Sequence, residues 1–429
     1  MGIFFGTDGI RGIVGEDLSY NILLKCGNAL GCLKQNCKII IGRDSRVSGE
    51  MLSQSFCLGA TLSGANVVDI GIATSPCVSY LTQALNFDFG VVISASHNPS
   101  EYNGIKVFDH TGQKLDDKQE LIIEKYMVHD LCTDYLNMGE YKYKPGIKKQ
   151  YVNYVCTHSK SLAGLNIGID CSNGASKSLA KQIFTKLGAN VKFTGMGSGK
   201  KINYKCGATY PQRISNFVKK HGLDFGFAFD GDADRIIMVD SCGKVYNGDN
   251  ILHCLSYSNY LTGDIIVGTS MSNLGLEVAL NKRGIKLERA DVGDKFVIQK
   301  MQELNSNLGG EQAGHIIINS LLPTGDGVLV AVVLSNIVTK QTLNKFMEFS
   351  SFPQIIINVS TQDKIRAMGS EELSKAINYA TEELAGMGRV LVRPSGTENK
   401  IRVMVEAENF SRAEMLAKFV ASKIDSKGV

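Results

Sequence analysis

Prolines, long apolar runs and blocks of like charge are all scarce in this sequence. Only 7 of its 429 residues are proline, against 45 glycines, which indicates many tight loops, some able to approach a ligand closely. The longest apolar run, Val328 to Leu334, is too short to span a membrane. The net charge is only +4 with Lys and Arg scattered, which argues against a nucleic-acid-binding surface and a polybasic membrane segment.

Paired cysteines and targeting signals are also missing. The 11 cysteines lie between Cys26 and Cys254, their number is odd, and none forms a C-x-x-C pair. This pattern argues against a disulfide framework and a zinc site and favours reduced, mostly buried thiols. The first residues have no signal-peptide pattern, and Gly2 is not followed by Ser or Thr at position 6, so myristoylation is not indicated. We therefore expect a cytoplasmic protein.

The chain is too long for one hydrophobic core and suggests about three or four domains. One pattern occurs three times along it: an apolar strand that ends in a polar loop within a βαβ-type unit. The three strands span residues 38–42, 165–170 and 264–268. Their comparable spacing predicts three related α/β domains in tandem.

The C-terminal part has a different pattern, which predicts a small α+β domain. Its predicted elements are a strand over 354–359, a helix over 370–384, strands over 389–392 and 400–405, and a closing helix that begins at Ser411 with a capping box to Glu414. The predicted domains are 1–146, 147–248, 249–352 and 353–429, and each contains one of four polar loops.

Ser96 and His97 follow the apolar run 89–92, which predicts a strand buried on both faces. In open α/β sheets, ligand-binding and catalytic residues lie at the carboxyl ends of such strands. Here that end carries a hydroxyl, an imidazole and the amide of Asn98, with the ammonium of Lys106 shortly after. Because Ser, Asn and Pro are common turn formers, the stretch alone could equally be a polar turn. Three other loops strengthen the catalytic interpretation.

The second loop places Asp230, Asp232 and Asp234 at alternate positions after the apolar segment 225–229. Alternate carboxylates in a tight loop can converge on a hard cation. An EF-hand would need Gly at the sixth position and Glu at the twelfth, where Arg235 and Ser241 stand. A solvated acidic turn is disfavoured because three close like charges repel. The loop predicts a Mg²⁺ site with positions left for a phosphate oxygen and water.

The third loop spans residues 309–315 and surrounds Glu311 with glycines. This arrangement suggests backbone drawn close to a ligand, with the carboxylate accepting hydrogen bonds from hydroxyl or amino groups. On its own it would be an ordinary polar loop, and His315 a surface or satisfied core histidine.

The fourth loop, residues 393–398, is followed by Arg402. The hydroxyls of Ser395 and Thr397 flank Gly396 in a pattern typical of a backbone nest. The guanidiniums of Arg393 and Arg402 can fork onto an anion. The loop predicts a phosphate site, and no nucleotide-binding fingerprint accompanies it.

Together the four loops indicate phosphoryl transfer through a serine, and at this point the sequence resembles the α-D-phosphohexomutase superfamily. The match covers essentially the whole chain in order, beginning with Gly6–Gly12. Its amino-sugar branch is indicated by four segments: Lys205–Thr209, Met271–Leu276, Val292–Asp294 and Gly310–Gln312. The resemblance implies three tandem α/β domains, with mixed sheets flanked by helices, and a smaller C-terminal α+β domain, all around a central cleft.

The resemblance also implies a role for each matching residue. Ser96 would be the phosphoserine and would complete a Mg²⁺ site with Asp230, Asp232 and Asp234. Arg11, His97, Lys106 and Arg235 would surround the transferring phosphoryl group, Glu311 and Ala313 would bind the sugar, and His315 would be a candidate acid/base. Arg393, Ser395, Gly396, Thr397 and Arg402 would hold the phosphate that does not react. Ala313 and Asn399 stand where the family more often has Ser and Pro.

The implied reaction interconverts glucosamine 6-phosphate and glucosamine 1-phosphate and feeds UDP-N-acetylglucosamine and cell-wall synthesis. One Mg²⁺ per active site and hexosamine 1,6-bisphosphate, as intermediate and activator, are the implied cofactors. The expected partner is a small hexosamine phosphate, with no nucleic acid or membrane; a homodimer, an activating kinase and autophosphorylation stay open. The alternatives are a phosphomannomutase/phosphoglucomutase of the same superfamily and a non-catalytic sugar-phosphate-binding protein.

Overall fold

The computed structural model describes residues 3–6, 8–133, 136–339, 341–395 and 399–424. The chain divides into two compact units. Unit 1 contains Met1–Thr269 and Ala290–Met347, and unit 2 contains Ser270–Arg289 and Glu348–Val429.

The first part of unit 1 is a six-stranded mixed sheet with the order β1-β5-β4-β2-β3-β6. Its elements are β1 Ile10–Ile13, α1 Tyr20–Cys32, β2 Lys38–Arg43, α2 Gly49–Leu62, β3 Asn66–Ile72, α3 Ser75–Ala84, β4 Phe89–Ile93, β5 Tyr102–Asp109, α4 Asp117–Met127 and β6 Tyr141–Tyr143. The apolar strands β2 and β4 lie side by side and parallel. Their carboxyl ends therefore meet at one edge of the sheet.

The second sheet of unit 1 has the order β11-β10-β9-β7-β8. After a short 3₁₀ turn at Pro145–Lys148, its elements are α5 Lys149–Thr157, β7 Asn166–Asp170, α6 Ser176–Lys186, β8 Asn190–Thr194, α7 Gln212–His221, β9 Phe225–Phe229, β10 Ile236–Asp240 and β11 Val245–Tyr246. All five residues of β9 are buried. Asp230 directly follows the last residue of this strand, so the acidic loop is anchored by the core of the sheet.

A third segment of the chain begins at α8 and ends at α12. Its elements are α8 Gly248–Leu255, β12 Ile265–Thr269, α9 Leu274–Asn281, β13 Lys286–Ala290, α10 Asp294–Glu303, β14 Leu308–Gly310, β15 Ile316–Ile318, α11 Gly327–Ile337 and α12 Leu343–Met347. In unit 1, β14 runs parallel to β12 and antiparallel to β15. The turn between β14 and β15 carries Glu311.

The C-terminal part of unit 2 is a three-stranded antiparallel sheet with the order β16-β18-β17. Its elements are β16 Gln354–Ser360, α13 Lys364–Met368, α14 Glu371–Leu384, β17 Gly388–Pro394, β18 Lys400–Ala407 and α15 Phe410–Ala421. The apolar side chains of α14 and α15 form one core with those of β18. This is the smaller α+β domain that the sequence predicts.

One predicted boundary is wrong. The closing helix, α15, begins at Phe410, and Asn409 caps it by accepting the backbone N–H of Arg412. Asn is as good an N-cap as Ser, and it lies in an extended conformation just before the first helical turn. Ser411 is therefore inside the helix and forms no capping box with Glu414.

The predicted state of the cysteines is confirmed. All 11 are free, and most of them are buried. Burial raises the pKa of the Cys26 thiol to about 12, which makes it an unreactive core residue. Among the helices in the described part of the chain, none combines the length and the apolar character needed to cross a membrane.

A buried carboxyl at the start of α11 gives a testable pH dependence. Asp326 caps this helix through Leu329 N and accepts the hydroxyl of the buried Tyr151 at 2.9 and 3.0 Å. Burial raises the pKa of Asp326 from 3.8 to about 6. The folded state therefore holds this proton more tightly than the unfolded state, and stability falls as the pH rises from about 4 to 6.

We expect Asp326→Asn to remove that pH dependence, because an amide can cap the helix without a charge. Relative to the wild type, the variant should gain up to about 3 kcal/mol in free energy of unfolding between pH 4 and pH 7. Urea unfolding across this range measures the gain. Asp116→Asn, at the exposed cap of α4, is the matched control. If the difference in free energy of unfolding between Asp326→Asn and the wild type did not change with pH, the prediction would be contradicted.

Candidate active site

Ser96 lies just beyond β4 and is almost fully buried. Its Oγ donates to Asp230 Oδ2 at 2.5 Å and lies 3.5 Å from Asp234 Oδ1. The backbone at Ser96 is left-handed, with φ +48°, a conformation that few non-glycine residues adopt. Since Ser96 and Asp230 are 134 residues apart, the fold brings the first two predicted loops together.

Asp230, Asp232 and Asp234 are all buried, and one oxygen from each lies within 4.8 Å of the others. Burial, together with the neighbouring carboxylates Asp234 and Asp232, raises the pKa of Asp230 well above its usual range. Burial also acts to raise the pKa of Asp234, but the nearby positive charges, with Lys106 the largest among them, together outweigh burial and lower the pKa. Three buried carboxylates at this spacing require positive charge nearby.

Lys106 supplies part of that charge. It lies on β5 with 1% of its side chain exposed, and its Nζ is 2.8 Å from both Asp232 Oδ2 and Asp234 Oδ2. Ser75, at the start of α3, also contacts Asp232: its Oγ donates to Oδ2 at 2.5 Å, and its N–H donates to the Asp232 carbonyl at 3.0 Å. These contacts fix the orientation of the Asp232 side chain.

The donor set of this cluster fits a hard divalent cation. Within the described residues, Asp232 Oδ1 is buried and has no hydrogen-bond partner. An orphaned buried carboxylate oxygen is costly unless a cation binds it. Oxygen-only ligands and several negative charges favour Mg²⁺ or Ca²⁺ over softer metals.

Three further predicted residues lie in the Ser96 and Asp230 loops or contact them. His97 Nδ1 is 3.4 Å from Ser96 Oγ, and burial, followed by the Arg235 and Arg11 charges, lowers the pKa of His97 to about 4. His97 is therefore neutral near pH 7. Arg11 pairs with Asp8 and lies 3.4 Å from the Asn98 amide oxygen. Arg235 forms a backbone bridge with His315, which joins the acidic loop to the Glu311 loop.

The Glu311 turn is held tightly at its backbone. Glu311 N donates to His315 O at 2.9 Å, and Gly314 N donates to Glu311 O at 2.9 Å. A side chain at Gly248 would meet Glu311 O at 1.9 Å, so this close approach requires glycine. The Glu311 carboxylate accepts the Gly293 N–H at 3.0 Å, which fixes its direction. Ala313, in the same turn, is exposed.

His315 is buried, and its Nε2 lies 3.4 Å from Asp294 Oδ2. In the part of the chain that the structure describes, neither ring nitrogen of His315 has a hydrogen-bond partner. A buried imidazole with an adjacent carboxylate can accept a proton and be stabilised once charged.

Asp8, Lys114 and Asp294 are among the residues of this site that the sequence did not indicate as functional candidates. Lys114 pairs with both Asp8 and Asp294, and so joins the loop before β1 to the start of α10. Burial opposes the charge of Lys114, but Asp294 and Asp8 outweigh it and raise its pKa. Asp8 and Asp294 lie in the segments Gly6–Gly12 and Val292–Asp294, which indicate the family but no role for these two residues, whereas nothing in the sequence around Lys114 marks it.

The predicted phosphate residues that the structure describes lie in unit 2. Arg393 on β17 and Arg402 on β18 are direct cross-strand partners. Both line a cavity of about 410 Å³ together with Met271, Ile356, Asn358, Leu391 and Met404. Like charges directly opposite each other on a sheet repel, and a bound anion would offset that repulsion. Ser395 is buried, whereas Gly396 and Thr397 lie outside the described residues.

Comparisons with known proteins show the family of this chain. Sequence profiles of the phosphoglucomutase/phosphomannomutase family match the chain in order: α/β/α domain I over residues 2–130, domain II over 143–243, domain III over 247–351 and the C-terminal domain over 356–423. Together they cover most of the chain. The fold and the site thus define a member of the α-D-phosphohexomutase class.

Relatives with full-length similarity narrow this class. The phosphoglucosamine mutase of Clostridioides difficile strain 630 is 40% identical over 99% of both chains, and that of Bacillus subtilis strain 168 is 40% identical over 95% of both. The chain belongs to the phosphoglucosamine mutase family.

Solved structures show the same fold at lower sequence identity. A phosphoglucomutase/phosphomannomutase family protein from Burkholderia thailandensis has a TM-score of 0.83 at 22% identity, with 98% of this chain and 96% of that chain covered. The Aspergillus fumigatus N-acetylphosphoglucosamine mutase, solved with GlcNAc-6P and magnesium, has a TM-score of 0.67 at 17% identity, with 98% and 95% covered.

Proposed function

We propose that this protein is an isomerase that interconverts glucosamine 6-phosphate and glucosamine 1-phosphate. Phosphorylated Ser96 donates its phosphoryl group to the substrate and takes the other one back from a glucosamine 1,6-bisphosphate intermediate. The observation that supports this most strongly is the contact of Ser96 Oγ with Asp230, inside a buried cluster of three carboxylates. A serine that only formed a turn would gain nothing from that environment.

In the first half-reaction the bond between Ser96 Oγ and phosphorus breaks, and a bond forms between phosphorus and O1 of glucosamine 6-phosphate. The O1 proton leaves to a base, for which His315 is the candidate, and Ser96 Oγ takes up a proton as it leaves phosphorus. In the second half-reaction the bond between phosphorus and O6 breaks, the phosphoryl group returns to Ser96 Oγ as Oγ gives up its proton, and O6 takes up a proton. The sum is an isomerisation, and the enzyme ends phosphorylated as it began.

The surrounding charges fit this transfer. Arg11, Lys106 and Arg235 would face the equatorial oxygens of the phosphoryl group, where negative charge is spread in the transition state. His97 is neutral and can donate or accept a hydrogen bond there without adding charge. Such sites work by positioning and neutralisation more than by elaborate covalent chemistry.

Asp230, Asp232 and Asp234, together with an oxygen on Ser96, would hold one Mg²⁺ ion. The ion would supply charge neutralisation at the phosphoryl group. Glu311 and the turn at Ala313 would orient the sugar ring. Arg393, Ser395, Gly396, Thr397 and Arg402 would bind the phosphate that does not react.

The three domain boundaries, at 146/147, 248/249 and 352/353, are part of the same proposal. Each boundary separates one of the four functional loops from the next. Location in the cytoplasm is also proposed, since the substrate is a charged metabolite.

The proposal is tested by intact mass with phosphosite mapping and by coupled assays on the 6-phosphates of glucosamine, glucose and mannose. We expect phosphate on Ser96 and the highest kcat/KM with the glucosamine substrate. A higher kcat/KM with mannose or glucose phosphate would indicate a phosphomannomutase/phosphoglucomutase instead. Binding without turnover by the phosphorylated protein would indicate a sugar-phosphate-binding protein.

Glu311→Gln is expected to reduce use of the amino sugar more than use of glucose phosphate. The glucosamine C2 amine is protonated at least in part near neutral pH, so the carboxylate can form a charge-assisted hydrogen bond worth about 1.5–3 kcal/mol. This corresponds to roughly a ten- to hundredfold preference. Because the Gly293 N–H holds the carboxylate in place, the amide should occupy nearly the same position.

The measurement is kcat/KM for both sugars in the wild type and in Glu311→Gln. Glu303→Gln, at the exposed end of α10, is the matched control for loss of one negative charge. An equal fold-loss for both sugars would mean that Glu311 only orients the ring and that discrimination lies elsewhere.

A further inference from the structure

A buried arginine lies directly behind the Ser96 loop. Arg46 follows β2, and because β2 and β4 are parallel neighbours, it lies at the sheet edge from which Ser96 emerges. None of its side chain is exposed, and the same is true of Asp44, whose Oδ2 is 2.9 Å from Arg46 Nε. A charge removed this completely from water needs a full set of partners.

The partners of Arg46 are backbone carbonyls of the Ser96 loop. Its Nη2 donates to the carbonyl oxygens of Ser96 and Asn98, each at 2.9 Å. Its Nη1 donates to Tyr102 O at 2.9 Å and also to Pro99 O. One guanidinium thus contacts four carbonyls along a seven-residue stretch.

A second side chain contacts two of the same carbonyls. Asn203 Nδ2 donates to Ser96 O at 2.8 Å and to Asn98 O at 2.9 Å. Its own Oδ1 accepts the Ser172 hydroxyl at 2.6 Å, which fixes the amide orientation. Two donors on one carbonyl hold a peptide plane more firmly than one does.

The peptide unit that precedes Ser96 is also held. Ser96 N donates to Ser94 Oγ at 2.9 Å, and Ser94 Oγ donates to Asp44 Oδ2 at 2.7 Å. Asp44 therefore connects the Arg46 guanidinium to the N–H of Ser96. These contacts surround a residue whose φ of +48° is unfavourable for most residues other than glycine.

We propose that Arg46, supported by Asp44 and Asn203, is a positioning residue that holds Ser96 in its left-handed conformation and so directs Oγ at the carboxylate cluster. None of the three side chains needs to touch the substrate. The inference rests on the proposed role of Ser96 as the phosphoryl carrier. Held in this way, the backbone presents the serine oxygen in the geometry that transfer requires in both half-reactions.

The test is Arg46→Lys in the full-length protein, phosphorylated on Ser96 and saturated with Mg²⁺. Lysine keeps the charge opposite Asp44 but, as a point charge, cannot contact four carbonyls at once. We expect kcat, and the single-turnover rate of phosphoryl transfer to glucosamine 6-phosphate, to fall by about a hundredfold. The KM for the sugar phosphate should stay close to that of the wild type.

Arg43→Lys is the matched control. Arg43 is the last residue of β2 and faces Glu50 and Asp69 instead of the Ser96 loop. Its replacement should leave kcat unchanged. If Arg46→Lys does not fold, as judged by circular dichroism and thermal unfolding, Asn203→Ala decides in its place, because it removes donors from the same two carbonyls. The expected result is again a lower kcat at constant KM.

Full kcat in either folded variant would overturn the inference, and so would a loss that appears only as a higher KM. Failure of the proposed function gives a different result. In that case the wild type would not turn over, or Ser96→Ala would, whatever the Arg46 variants do.

Discussion

Replacing Ser96 by alanine is expected to abolish mutase turnover while leaving the fold intact. In the wild type, Ser96 Oγ donates to Asp230 and lies beside Asp234, and no other hydroxyl in the Ser96 loop has this position. Loss of a covalent nucleophile typically lowers kcat by a factor on the order of 10⁴ or more. Lys106 cannot replace it, because its ammonium is held by Asp232 and Asp234.

The effect on stability should be small. Alanine adopts the left-handed backbone of Ser96 about as poorly as serine does, so the conformational cost is unchanged. The lost hydrogen bond is worth about 1 kcal/mol. Removal of the hydroxyl also leaves one acceptor of Asp230 without its donor, which adds to this cost. Thermal unfolding should therefore separate loss of activity from loss of structure.

Ser100→Ala is the matched control for Ser96→Ala. Ser100 belongs to the same loop, but its hydroxyl lies 3.4 Å from Glu101 at the surface. It should retain wild-type turnover. The measurement is kcat on glucosamine 6-phosphate with glucose or glucosamine 1,6-bisphosphate present, so that both variants have a source of phosphoryl groups. Near-normal turnover by Ser96→Ala would rule out a mechanism through phosphorylated Ser96.

The strands were predictable from the sequence because the buried ones are short apolar runs with polar ends. The predicted segments 38–42, 89–92 and 225–229 correspond to β2, β4 and β9 within one residue. The direction of the chain then places Ser96 after the carboxyl end of β4 and Asp230 after that of β9. The start of α15 was predicted incorrectly because Asn409 and Ser411 are both good caps, and only the backbone conformation distinguishes them.

The pattern of residues in the sequence does not show which loops lie next to each other in the fold. Ser96 and Asp230 are 134 residues apart, and Lys106 and Asp232 are 126 apart, so only the fold or the family resemblance joins them. Residues that act through others were missed for the same reason. Ser75 contacts Asp232, and Arg46 contacts four carbonyls, yet each looks in the sequence like an ordinary polar residue after a strand.

Asp232→Asn is expected to weaken Mg²⁺ binding severely while Ser96 stays in place. Asp232 is the carboxylate of the cluster that has a buried oxygen without a hydrogen-bond partner in the described part of the chain. Its other oxygen is held by the Ser75 hydroxyl and Lys106 Nζ. An asparagine in this position would either turn its amide N–H₂ toward the Lys106 ammonium or present it to the cation.

Both orientations are unfavourable for a hard cation, and the substitution also removes one negative charge. Because affinity for Mg²⁺ depends on ligand charge and oxygen donors, we expect the Mg²⁺ concentration for half-maximal activity to rise on the order of a hundredfold. The Mg²⁺-induced increase in melting temperature should shrink in parallel, since a ligand stabilises only the state that binds it. This second readout does not depend on turnover.

Asp240→Asn, at the end of β10, is the matched control, because Asp240 caps the turn to Lys244 outside the cluster. Unchanged Mg²⁺ dependence in Asp232→Asn, by activity and by melting temperature, would mean that the cation binds elsewhere.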